Sequence, residues 1–112
     1  MRERTKSARP KKAELDALVR EATLDAYDEE EQLMGIFTMI QDNLQVPFET
    51  IVLGVTAVVE RVDLVGRDRS HIVAVCRRGR LRQAIPITAL PLPSRRPRGA
   101  KWIDAYRHWC GE

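Results

Sequence analysis

Aromatic residues are scarce: two Phe, two Trp and two Tyr make up 5% of 112 residues. The core must therefore be mostly aliphatic, and the interleaved aromatics that stack bases in RNA-binding modules are missing. Cysteine is scarcer still, with Cys76 and Cys110 alone, so no disulfide framework is expected and a reduced, cytoplasmic protein is. Long apolar runs are absent. The longest, residues 51–59, is broken by Gly54 and Thr56 and is far too short to cross a bilayer. No apolar segment follows the basic N-terminus, so no signal peptide is expected. Catalytic signatures are missing too: there is no P-loop, no nucleophile elbow and no His pair beside a Ser or Cys. The chain is read as a non-enzyme. His71, Cys76, His108 and Cys110 are zinc-ligand types, but their spacing matches no structural zinc pattern. Positions 71 and 76 fall on opposite faces of one strand, and packing of Cys76 in the core is expected.

Charge is abundant, at 31% of residues, and segregated. Residues 1–20 carry a net charge of +4, residues 21–63 a net of −9 and residues 64–112 a net of +8, within an overall +3. A basic chain invites a nucleic-acid reading, but here the charge arrives in blocks and the middle block is acidic.

The chain length suits one domain. Residues 1–11 lack periodicity and are expected to form a disordered basic arm, leaving 12–112 as a single domain. Leu15, Leu18, Val19 and Ala22 make an apolar stripe, so a helix is predicted over 12–27, with Tyr27 packed near its end. Asp28 is the N-cap of a second helix, with Glu31 at the capping-box spacing. Leu33, Ile36, Phe37, Ile40 and Leu44 form that helix's buried face. Gly35 inside it allows close packing against the first helix. The helical part, 12–45, must stop before Pro47. Strands are predicted at 50–54 and 56–63, with a bend or bulge at Gly54, then at 71–76 and 81–87 around a hairpin turn at Gly79. Pro86 argues for an edge strand. A proline-rich connector leads to a C-terminal helix over 99–109, whose Trp102, Ile103, Tyr106 and Trp109 form a plug. The class is α+β, with two N-terminal helices, a small antiparallel β-barrel over 49–92 and a short C-terminal helix.

Three stretches taken together, DAYDEEEQLMGIFTMIQDNLQVPFETIVLGV, CRRGRLRQAIPITALPLP and GAKWIDAYRHW, resemble the small CcbP-like calcium-binding proteins over about residues 24–109. The resemblance implies a cytoplasmic bacterial protein that binds calcium through surface carboxylates. It implies an SH3-like barrel behind a helical part, and a role in buffering or sequestering the ion. This chain departs from the acidic composition of such proteins, for Arg67 and Arg69 flank Asp68, and SRRPRGAKW is basic.

Calcium takes roughly six to eight oxygens, usually from carboxylates, carbonyls and water. No EF-hand loop is present, so a site must be assembled from separate segments. One candidate is the end of the second helix, where Asp42 and Asn43 lie in the last turn and Glu49 follows. The alternative is that they only satisfy the helix end. A second candidate is the acidic turn with Asp25, Asp28, Glu29 and Glu31, for which capping is the competing role. Glu31 and Asp42 lie ~16 Å apart along the helix and cannot share an ion. Asp63 and Asp68 bound a third candidate. An alternative function is a basic SH3-like module, its calcium binding lost, that uses Arg78, Arg80, Arg82, Arg95, Arg96 and Arg98 to bind nucleic acid or an acidic protein. Pairing of these arginines with the acidic block competes with that reading.

Overall fold

The computed structural model describes residues 9–67 and 70–112. Helices α1 (Lys12–Ala22) and α2 (Glu29–Asn43) precede strands β1 (Phe48–Val52), β2 (Val55–Val65), β3 (His71–Arg78) and β4 (Leu81–Pro86). A 3-10 turn (Ile87–Ala89) and helix α3 (Ala100–Trp109) complete the chain. The expected arm lies outside the described residues up to residue 8. Among the described residues, no helix is long and apolar enough to cross a membrane.

Helix α1 stops five residues short of its predicted end. The hydroxyl of Thr23 donates to the Val19 carbonyl at 2.7 Å, a local bond of the kind that competes with helix propagation. The last residue of α1 also abuts α2, because a Cβ on Gly35 would overlap the backbone carbonyl of Ala22. Gly35 thus provides the close approach expected of it. The chain then turns, and Asp28 caps α2 by accepting from the amide of Glu31 at 2.8 Å. Glu31 reaches back to accept from the amide of Tyr27 at 2.7 Å. Tyr27 was expected to pack, yet it is 95% exposed. A residue just before an N-cap packs when an apolar residue sits in the next turn of the helix. Here that position is Gln32, so no apolar partner holds the ring down.

The sheet is an antiparallel meander in the order β1-β2-β3-β4. The β1–β2 turn consists of Leu53 and Gly54, both at positive φ (51° and 79°), the conformation of a two-residue hairpin. Gly54, expected at a bend or bulge, lies in this turn, and a bulge lies further on in β2, where the register with β3 shifts between Val59 and Arg61. Glu60 is the extra residue. Before it the buried positions are Ala57 and Val59; after it they are Val62 and Leu64. One inserted residue has exchanged the two faces of the strand. Pro86 ends β4, which is an edge strand as expected.

The barrel is not closed: β1 and β4 are both edges. The segment placed to close it is residues 90–94, which runs beside β1, where the hydroxyl of buried Thr50 donates to the Pro91 carbonyl at 2.6 Å. Prolines at 91 and 93 have no N–H to offer, so this segment cannot complete a ladder.

The core is aliphatic as expected, with Leu33, Ile36, Phe37 and Ile40 of α2 packed against Val59, Val62, Ile72 and Ala74 of the sheet. Trp102, Ile103 and Tyr106 of α3 complete it, and Cys76 is buried within it. Side chains at the C-terminal half of α3 fasten separate elements. Arg107 donates to the carbonyls of Ile87 and Leu90. His108 meets Asp16 of α1 at 2.7 Å, and the Trp109 indole donates to Gln32 of α2 at 3.0 Å. Asp104 is fully buried and ion-paired with Arg96, whose side chain is 11% exposed. Arg9 approaches the other carboxylate oxygen at 3.8 Å, too far for a hydrogen bond, and that oxygen has no hydrogen-bond partner.

Two substitutions check these contacts by chemical denaturation. Gly35→Ala should lower stability by about 1–3 kcal/mol through overlap with Ala22, although Ala is ordinarily worth ~1 kcal/mol more than Gly in a helix. Arg96→Ala, which leaves a buried carboxylate without its partner, should cost about 3–5 kcal/mol. Asp104→Asn, which removes the buried charge, should cost clearly less.

Candidate functional site

A junction rich in oxygen atoms lies where α2 ends and α3 begins. The amide of Leu44 makes the last helical bond, to Ile40 at 2.8 Å. The side-chain amide nitrogen of Asn43 donates back to the Met39 carbonyl at 2.8 Å, so the Oδ1 of the same amide is the atom it can offer to a ligand. The chain then crosses to the segment before α3. The amide of Gln45 donates to the Arg98 carbonyl at 2.8 Å, and the amide of Arg98 donates to the Gln45 side chain at 3.4 Å. Gly99 begins α3 at φ 88°. A Cβ there would overlap the Asn43 carbonyl, so glycine is demanded by both conformation and proximity. The negative end of one helix dipole thereby faces the positive end of another.

This junction opens a cleft of about 600 Å³ lined by Glu21, Asp42, Asn43, Gln45, Arg98 and Lys101 among others. Glu21, on the exposed face of α1, was not singled out in the sequence because nothing in its spacing links it to Asp42. Trp102 lines the cleft as well, and Lys101 lies over its ring, 5.6 Å from the centroid. Two carboxylates, an amide oxygen and helix-terminal carbonyls are hard donors of the type calcium takes. Arg98 and Lys101 oppose a cation in the same space. Among the described residues, no group of three His, Cys, Asp or Glu could hold a metal ion. The carboxylates among the described residues that line this cleft are Glu21 and Asp42, so a calcium ion held here would rest on those two, with neutral oxygens and water completing its shell.

The other expected ligands lie elsewhere. Glu49 is not among the residues lining that cleft and lines instead a groove of about 490 Å³ with Thr50, Thr56, Pro91 and Ser94. Asp28 and Glu31 are engaged in the α2 cap. Asp63 accepts from the amide of Leu64 at 2.8 Å, and its proposed companion Asp68 lies outside the described residues. The basic residues divide as well. Arg82 bonds Glu60 at 2.8 Å, as does neighbouring Arg77, so this part of the basic block does pair with the acidic one. Arg96 is committed to Asp104. Arg78, Arg80, Arg95 and Arg98 are exposed.

The bulge explains the Glu60 clamp, since it re-aims that side chain toward β3 and β4. Hydrogen bonds, first from Arg82 and then from Arg77, hold the Glu60 carboxyl below its usual range. Asp16 is held low in the same way, first by His108 and then by Lys12. A carboxyl with a depressed folded-state pKa contributes stability above its unfolded pKa, ordinarily 3.8 for Asp, and loses it as pH falls through the folded value. His108→Ala should move the Asp16 titration upward, toward the ordinary value, in an NMR pH series. It should also weaken stability near neutral pH more than at the acid end.

Comparison with known proteins bears on what this donor set is for. A family model described as calcium binding matches residues 16–110. No curated protein and no solved structure matches the chain significantly. The match runs from α1 through the last turn of α3 and so spans the helix junction as well as the sheet, and the chain belongs to the CcbP-type calcium-binding family.

Proposed function

We propose that this chain binds calcium at the α2–α3 junction, with Asp42 and Asn43 as the central ligands and Glu21 and water completing the shell. The observation that carries this reading is the shared cleft, in which a helix C-terminus, two carboxylates and an amide oxygen come together in a member of a calcium-binding family. Few charged ligands and two cations beside them make for a weak site, with Kd on the order of 10⁻⁴–10⁻³ M. Such a site suits reversible buffering of the ion rather than permanent structural retention. The two free cysteines, one buried and one exposed, support a reducing cytoplasmic setting. The four strands with residues 90–94 laid beside β1 are read as an opened form of the SH3-like barrel.

The test is calcium titration followed by calorimetry and amide NMR, with magnesium as competitor. Shifts should centre on residues 42–45 and 98–101. Asp42→Asn should weaken binding by roughly tenfold or more, and Lys101→Glu should tighten it by a similar factor. Absence of any heat or shift up to millimolar calcium would refute the reading, and shifts confined to the α1–α2 turn would relocate the site.

A further inference from the structure

Nine large apolar side chains are exposed among the described residues, and five of them fall in two places. Leu24 (77%) and Tyr27 (95%) stand on the turn between α1 and α2. Leu53 (97%), Val55 (41%) and Leu81 (68%) stand at the hairpin end of the sheet. Scattered singly, such residues need no explanation; gathered into patches, they mark contact surfaces.

The hairpin end carries a groove of about 230 Å³. Val55, Leu81 and Ile85 form part of its apolar lining, and Arg77, Arg78 and Arg82 line it too. It lies where the two hairpin turns project from the same end of the sheet. Among the described residues the acid paired with these arginines is Glu60, which Arg77 and Arg82 share, so three arginines are set against one carboxylate there and the groove is positive. The α1–α2 turn is its counterpart. Two apolar side chains project there amid Asp25, Asp28, Glu29 and Glu30, all exposed. Tyr27 is turned outward because Gln32 gives it nothing to pack on, so its ring is free to anchor elsewhere. A rigid aromatic beside acids, and an apolar groove edged by arginines, are complementary in shape class and in charge.

From this complementarity we infer that the α1–α2 turn of one copy docks in the hairpin groove of a second copy. The two surfaces are different patches of the same chain, so the contact is heterologous and leaves one of each patch unused in every pair. Association then continues into rings or short chains instead of stopping at a two-fold dimer. The patches are small, which makes the assembly weak and sensitive to salt. The inference does not depend on the calcium site, whose residues lie at the α2–α3 junction.

Sedimentation equilibrium over a concentration series, at low and high salt and without calcium, reads it directly. The average mass of the wild-type chain should rise with concentration, to roughly twice the monomer or more, and fall back at high salt. Tyr27→Ser and Leu81→Asp, both at surface positions, should each remain monomeric with unchanged circular dichroism. Mixed in equal amounts they should form a one-to-one pair and stop there, because one intact turn and one intact groove remain between them. A wild-type chain that stays monomeric throughout overturns the inference. So does self-association of Tyr27→Ser equal to wild type, since the groove would then be meeting something other than the turn. A mixture that stays monomeric overturns it as well.

Discussion

A carboxylate buried without access to water must be neutralised in place, and Asp104 sets that demand at the middle of α3. Its neighbours Ile103 and Ala105 are core residues with no exposure. Arg96 satisfies the demand from the proline-rich connector. Once Arg96 is fixed, Pro97, Arg98 and Gly99 have little freedom, and the hydrogen bonds to Gln45 follow. The α2–α3 junction, with its cleft of oxygen donors, is thus positioned by a buried ion pair that does not itself line the cleft. An apolar pair of the same volume could give equal or greater stability. Charge at this position adds direction, because a carboxylate accepts only a donor that reaches it along the connector.

Much of this arrangement was legible in the sequence. Asp28 and Glu31 announced the start of α2, Gly35 its approach to α1, and the spacing of Trp102, Ile103 and Tyr106 the plug. Each of these signals is local: a cap, a missing Cβ, a helical period. What escaped was non-local or a matter of phase. The bulge at Glu60 converts an inward parity into an outward one, and no residue type marks the insertion. The open sheet depends on which segment comes to lie beside β1, and the two prolines there speak only once that neighbour is known. Asp104 did leave a trace, as an acid enclosed by buried positions of a helix, but its partner eight residues earlier is in a segment without periodicity. The same limit hid Glu21, which reaches the cleft only because α1 and α2 cross where they do.

The segregation of charge along the chain is resolved unevenly in space. Glu60 draws Arg77 and Arg82 out of the basic block, and Asp104 draws in Arg96 from within it. Lys12 and His108 converge on Asp16. The acids of the α1–α2 turn take no part in these pairs. They serve the first turn of α2, where negative charge meets the positive end of a helix dipole, and remain on the surface. The fold therefore uses part of its charge as fastening and presents the rest.

An open sheet has two borders at which backbone groups could recruit another strand. In this fold they are blunted by different means. Beside β1 the proline segment stands in the way, and its missing N–H groups offer little to a newcomer. Along β4, Arg80 and Arg82 accompany an exposed border that ends at Pro86, and like charges repel a second copy aligned edge to edge. Backbone pairing between copies is thereby discouraged at both borders. A sheet edge blunted in this way does not seed the strand-by-strand growth of a fibre.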